Sequence, residues 1–186
     1  SKMEGYKPSK NDGSSGITKP EKMPISFSDR DRTFTGTDVA LPMVIKLQIA
    51  NKIVLRVSVN ESSQANILYM SAFLKMGLSE SMLKPFKTYL KGNLGAGVPV
   101  KGYIDLDTTF GKGENAKMLK VRYLVIDSWS VYNVVIGMPV VAELGAVISI
   151  VHLKMKYPIG DGMVGVVMAD LDMAKKCHEM CPHYVG

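Results

Sequence analysis

The chain of 186 residues has two cysteines and one tryptophan. Cys177 and Cys181 both stand near the C-terminus, so a scaffold built on disulfides is excluded and a reducing, intracellular compartment is expected, cytoplasm and nucleus not being distinguished. Charge of one sign is not concentrated either. The 23 Lys and Arg against 17 Asp and Glu give a net charge of +6, but no four basic residues are consecutive, so a solvated surface is favoured over a nucleic-acid interface. No charged-then-apolar segment opens the sequence, and a signal peptide is not expected. The longest apolar-rich stretch, residues 134–153, is interrupted by Pro139 and Glu143 and by two glycines. It reads as strand, short helix and second strand, not as a membrane span. Cys177, His178, Cys181 and His183 gather possible zinc ligands, but without the longer loop that separates ligand pairs in structural zinc sites, so neither a metal nor another cofactor is expected.

What is present is enough apolar sequence, 46%, for one domain with a substantial core. Residues 1–24 are rich in lysine, glycine, serine and proline without apolar periodicity and read as a flexible leader. The folded domain is expected over 25–169, with a helical C-terminal tail over 170–186. Residues 41–50 and 52–59 read as a half-buried hairpin, with Val44, Leu47 and Ile49 sharing one face and Ile53, Leu55, Val57 and Val59 alternating strictly. Residues 65–69 form a further short strand. A helical turn over 71–76 stops at Gly77, and a second, capped by Ser79, ends before Pro85. A glycine-rich hinge containing Gly92, Gly95 and Gly97 precedes strands at 103–110 and 119–126. Pro139 suits the first turn of a short helix stopped by Gly145, and residues 146–157 complete the strands.

One segment carries chemical meaning: Val57-Ser58-Val59-Asn60-Glu61-Ser62-Ser63-Gln64-Ala65-Asn66-Ile67-Leu68-Tyr69. An alternating strand enters a small polar turn and leaves as Ile-Leu-Tyr. This frame resembles the active-site loop of the retropepsin-like aspartic proteases of plant gypsy-type retrotransposons, in which Asp-Thr-Gly-Ser-Ser-Ala-Asp lies between the two apolar pieces. Further blocks resemble the family in the same order: Ile25-Ser26-Phe27-Ser28-Asp29, Ser71-Ala72-Phe73-Leu74-Lys75-Met76-Gly77-Leu78, Tyr132-Asn133-Val134-Val135-Ile136-Gly137-Met138-Pro139 and His152-Leu153-Lys154-Met155-Lys156-Tyr157-Pro158. The resemblance spans roughly residues 25–169. It implies a mainly β fold, a small closed β-barrel of the acid-protease type with two or three short helices. It further implies a homodimer, a flap at Gly92, Gly95 and Gly97, and a strand ending in Ile136 and Gly137 beside the active-site loop.

The triplet itself departs from that pattern, reading Asn60-Glu61-Ser62. In such proteases each chain brings one aspartate to a two-fold axis, and the pair shares a proton while activating water. An asparagine amide can hydrogen-bond that water but cannot accept its proton, which removes a general-base contribution of about 10²–10⁴-fold. Glu61 points to the other side of the chain and would bring like charges together near the axis. Ser62 replaces the conformationally free glycine. The expectation is therefore a pseudo-protease with no catalytic residue, serving as a homodimeric interaction or peptide-binding module. The alternatives are a regulatory partner of an intact chain and a residual aspartic endopeptidase.

Other candidate groups are weaker. Asp105 and Asp107 share one strand face, as an outward polar face requires. Asp127 reads as a turn residue bonding nearby amides. Trp129 is expected to pack on the sheet in preference to anchoring a partner. His152, placed within a strand without a neighbouring nucleophile, offers little for a hydrolase triad.

Overall fold

The computed structural model describes residues 24–31, 41–87, 89–90 and 98–180. A hairpin of β1 (Val44–Ile49) and β2 (Lys52–Val59) is followed by β3 (Asn66–Tyr69), α1 (Met70–Lys75), β4 (Tyr89–Leu90), β5 (Val98–Phe110) and β6 (Lys117–Ile126). The chain continues through β7 (Val134–Ile136), α2 (Met138–Leu144), β8 (Val147–Ser149), β9 (Lys154–Gly160), β10 (Met163–Met168) and α3 (Leu171–Met180). The strand order β1-β2-β7-β3-β6-β5 returns to β1 through Gln48–Thr109 and Ile49–Thr108, which closes six strands into a barrel. β4 pairs with the start of β5, and β10-β9-β8 form a separate antiparallel sheet. The mainly β closed barrel with three short helices is the architecture expected from the sequence.

Closure follows from where the apolar residues fall. Ile45, Ile49, Val57, Leu68, Phe110 and Tyr123 are buried in one cluster that also receives Phe73 of α1 and Leu144 of α2. Each such side chain contributes about 1.5–3 kcal/mol by leaving water, and the barrel's interior lets opposite strands share them. Two tyrosines keep their polar ends satisfied inside. The Tyr123 hydroxyl meets Thr108 Oγ1 at 2.7 Å, and the Tyr157 hydroxyl donates towards the carbonyls of Phe110 and Asn115 at 3.0 and 2.8 Å. Burial pushes both phenols above their ordinary range.

The short helices end where local chemistry requires. Gly77 takes φ +76° after α1, and Gly145 takes φ +64° after α2, both in the left-handed region that glycine adopts at least cost. α3 is tied to the barrel: the Asp170 carboxylate accepts the Met173 N–H at 3.1 Å, and Ala174 and Cys177 are buried with Leu41, Val44, Val131 and Leu153. Their spacing of three places both on one helix face.

The β1–β2 hairpin corrects the expected strict alternation. Ile53 and Leu55 are exposed, whereas Val54 is buried between them. The cause is a β-bulge. The register slips from Ile45–Val57 to Leu47–Val54, and Arg56 takes φ +52°, so the extra residue inverts the inward face halfway along β2. The distortion is held by both neighbours, since the Arg56 N–H meets Met173 Sδ of α3 at 2.9 Å and its carbonyl accepts the Asn133 N–H at 2.9 Å.

His152 also differs from expectation. It lies in the turn between β8 and β9, with its ring Nδ1 2.6 Å from Ser149 Oγ and its face stacked on Phe27. The same hydroxyl accepts the His152 N–H at 3.2 Å. The pair therefore fastens the turn.

Gly165 of β10 faces the ring of Tyr157, where an added Cβ would fall inside contact distance of Cζ and Cε2. Gly165→Ala is expected to lower the stability by about 1–3 kcal/mol, read as a lower urea midpoint at unchanged slope.

Candidate functional site

The site is built where three barrel strands end together. β2 and β7 run parallel with Val59 beside Ile136, and β3 runs antiparallel to β7 with Ile67 beside Val135. The turn leaving β2 therefore lies against the turn leaving β7. The Asn60 N–H donates to the Ile136 carbonyl at 2.8 Å, and the Met138 N–H donates to the Ser63 carbonyl at 2.8 Å. Ile136 and Gly137 thus stand beside the loop.

Gly137 is needed here for space. Its φ of −105° is open to any residue, but an added Cβ would lie 2.5 Å from the Ala65 carbonyl oxygen and 2.6 Å from that of Ser63. Asn66 completes the crossing from below. Its buried Oδ1 accepts the Gly137 N–H at 2.9 Å, and its Nδ2 donates to the Arg122 carbonyl on β6 at 3.2 Å. One side chain thereby joins β3, β7 and β6. Asn66 escaped selection from sequence, although it occupies the last position of the Asp-Thr-Gly-Ser-Ser-Ala-Asp frame and that correspondence was the available signal.

Within the loop, Asn60, Glu61 and Ser62 are all exposed. The Asn60 Oδ1 accepts the Ser62 N–H at 3.0 Å, and its carbonyl accepts the Ser63 N–H at 3.0 Å. Ser63 Oγ donates to the Ala65 carbonyl at 2.7 Å. The amide oxygen is thus engaged by the backbone, which leaves the neutral Nδ2 as a donor. A donor cannot serve as a general base.

The remaining candidates fall elsewhere. Asp105 is paired across β5 and β6 with Arg122 at 2.9 Å, and that hydrogen-bonded guanidinium holds its carboxyl below the usual carboxylate range. Arg122 also lies over the Tyr103 ring, 4.1 Å from its centroid. Trp129 does not pack on the sheet: it is 72% exposed in the turn between β6 and β7. Gly92, Gly95 and Gly97 lie outside the described residues, as do Cys181 and His183. Among the described residues, no group of three or more His, Cys, Asp or Glu side chains converges as a metal site would require. No helix there is long and apolar enough to cross a membrane.

With this geometry established, the fold can be placed. The structure resembles the retroviral protease-like domain of Ddi1 from Leishmania major, with TM-score 0.50 and 14% identity over 72% of this chain and 98% of that one. A retropepsin-like aspartic protease from Rickettsia conorii is also similar, at TM-score 0.45 and 18% identity, covering 67% of this chain and 80% of that one. No protein-family model and no curated protein sequence matches the chain. The fold is accordingly of the retropepsin-like type.

Two substitutions probe the crossing. Gly137→Ala is expected to destabilise by about 1–3 kcal/mol because backbone, not a flexible side chain, occupies the space. Asn66→Asp keeps the acceptor for Gly137 but sets a buried carboxylate against the Arg122 carbonyl, at a cost of about 1–3 kcal/mol. Burial and that carbonyl raise the introduced carboxyl's folded pKa, so the neutral acid is favoured. The penalty is then largest at neutral pH and shrinks as pH falls towards about 4, which urea titrations at several pH values would read directly.

Proposed function

We propose that this chain is a catalytically inert, retropepsin-like domain, derived from a plant gypsy-type retrotransposon, that acts inside the cell as a homodimeric interaction or peptide-binding module. The observation that carries the reading is the state of Asn60. It stands at the head of the loop where the resemblance places the catalytic aspartate, and its side-chain oxygen is occupied by the Ser62 N–H. Two such loops facing each other would present amides and no shared proton. Glu61 is not offered as a replacement base: the expected extended chain is instead a turn closed by the Ser63 N–H on the Asn60 carbonyl, with Glu61 exposed at its corner.

The pairing half of the proposal has separate support. β8 is the outer strand of its sheet, and Val147 on it and Ile150 and Val151 just after it are 44%, 60% and 69% exposed. An apolar strand edge of this kind is a liability unless another chain covers it. It follows α2 directly and so lies one short helix away from the Asn60 loop. A second copy meeting that edge would bury apolar surface whether or not water is activated nearby.

Light scattering on the purified chain is expected to give a dimer, and a monomer at high concentration would overturn the pairing. Incubation with a diverse peptide library at acid and neutral pH is expected to give no cleavage. Pepstatin-sensitive turnover by the native chain would overturn inertness. The triple variant Asn60→Asp, Glu61→Thr, Ser62→Gly restores the base and is expected to recover at least the roughly 10²-fold that general-base assistance supplies, measured as cleavage above the native background.

A further inference from the structure

A second feature lies away from the Asn60 loop, where β1 and β10 approach one another and then part. At one end the Asp170 N–H donates to the Val44 carbonyl at 2.8 Å, and Asp170 also pairs with Lys46 at 3.3 Å. At the other end β1 turns to β5, where Gln48 stands opposite Thr109. Between those ends no ladder joins β1 to β10 among the described residues. The gap is a groove of about 770 Å³ lined by residues 46–48 of β1 and 166–170 of β10, with Ile53, Thr109 and Lys112 among its other walls.

The strand alternation shows what the two edges offer. On β1, Val44 and Gln48 turn their backbone groups away from β2, and Lys46 lies midway between them in the period of two. On β10, the Ala169 N–H goes back to the Leu153 carbonyl, whereas the next residue, Asp170, reaches forward to β1. By the same alternation Met168 and Val166 direct their N–H and C=O groups into the gap. The flanking side chains are apolar and uncovered: Ile53, Val166 and Met168 are 65%, 42% and 66% exposed. Among the described residues, Asp170 is the single carboxylate lining the groove and is engaged by Lys46, whereas Lys112 lines it exposed.

We infer that this wedge is a strand-addition site for an extended peptide of alternating apolar and acidic residues. The inserted backbone would take the donors and acceptors of Lys46, Val166 and Met168. Its carboxylates would point outward to Lys112 and Lys46, between the exposed Ile53, Val166 and Met168, and its apolar side chains, on the opposite face by the same alternation, would turn inward beside Leu47 and Val167. Two facing, unpaired edges are what a single inserted strand satisfies on both sides at once, which a flat apolar patch does not provide. The site does not use Asn60, and it stands or falls apart from the proposed inertness and pairing.

The test uses the full chain and three labelled octapeptides followed by fluorescence anisotropy: alternating Val and Glu, alternating Val and Lys, and the Val-Glu peptide N-methylated at its central residues. The acidic peptide is expected to bind saturably. The lysine peptide and the N-methylated peptide, which lacks strand donors, should each bind at least about tenfold more weakly. Amide exchange with the acidic peptide bound should slow at Lys46, Val166 and Met168. Ile53→Asp with Met168→Asp changes only exposed side chains and should abolish binding while the thermal midpoint holds. The inference is overturned if the three peptides bind alike, if none binds at millimolar concentration, or if protection falls on β8 or the Asn60 loop. It is overturned equally if light scattering shows that the double variant dissolves a dimer of the native chain, because the wedge would then be filled by a second copy.

Discussion

The buried Asn66 side chain is the constraint on which the centre of this protein depends. A carboxamide carries both a donor and an acceptor at fixed separation, and here the acceptor serves the Gly137 N–H while the donor serves the Arg122 carbonyl. An apolar residue would leave both of those backbone groups unsatisfied in the interior, and a carboxylate would leave one of them facing like charge. With the amide in place β3 can lie between β7 and β6, and the loop after β2 can cross over Gly137 at a distance no Cβ permits. The barrel closes around that crossing.

Scaffold and chemistry separate along this line. The contacts that shape the loop run through backbone groups and through Asn60 Oδ1, Ser63 Oγ and Asn66. Each accepts or donates in the same manner whether the head of the loop carries an amide or a carboxylate, because the Ser62 N–H needs only one side-chain oxygen there. A loop can therefore exchange its proton acceptor without disturbing the strands beneath it. That separation is why the proposal of an inert domain asks for no change of fold, and why the restoring variant is a fair test of the chemistry alone.

The legible parts of the fold were those set by short-range rules. The helix stops at Gly77 and Gly145 and the strand pair around 103–110 and 119–126 follow from turn chemistry or period-two patterning, whereas the place of Gly137 beside the loop came only from the resemblance. What escaped had more than one cause. A strict alternation through Ile53, Leu55, Val57 and Val59 is the natural reading of those residues in isolation, yet α3 and the Asn133 turn hold Arg56 at positive φ and reverse the face. His152 became a turn residue because Ser149, three positions earlier, closes on it. Trp129 stands in water although packing on the sheet was expected. The frame from Asn60 to Asn66 was legible as a resemblance, whereas the burial of Asn66 and its two backbone partners were not, because a buried amide and a solvent-facing one look the same in sequence.

The bulge at Arg56 links two regions that otherwise have nothing in common. If β2 kept one register throughout, Ile53 and Leu55 would face the interior with Val57, and Val54 would face solvent. The slip turns Ile53 outward beside β10, into the wall of the wedge between β1 and β10. The same bulge receives Met173 of α3, whose first turn is capped by Asp170, and Asp170 is the residue that pins β10 to Val44 and pairs with Lys46. Exposed apolar surface, the helix that fixes the bulge, and the hydrogen bond that holds one end of the wedge closed are therefore one connected arrangement. Removing the bulge would bury Ile53 and release α3 together, so the open groove is a consequence of how the C-terminal helix is seated.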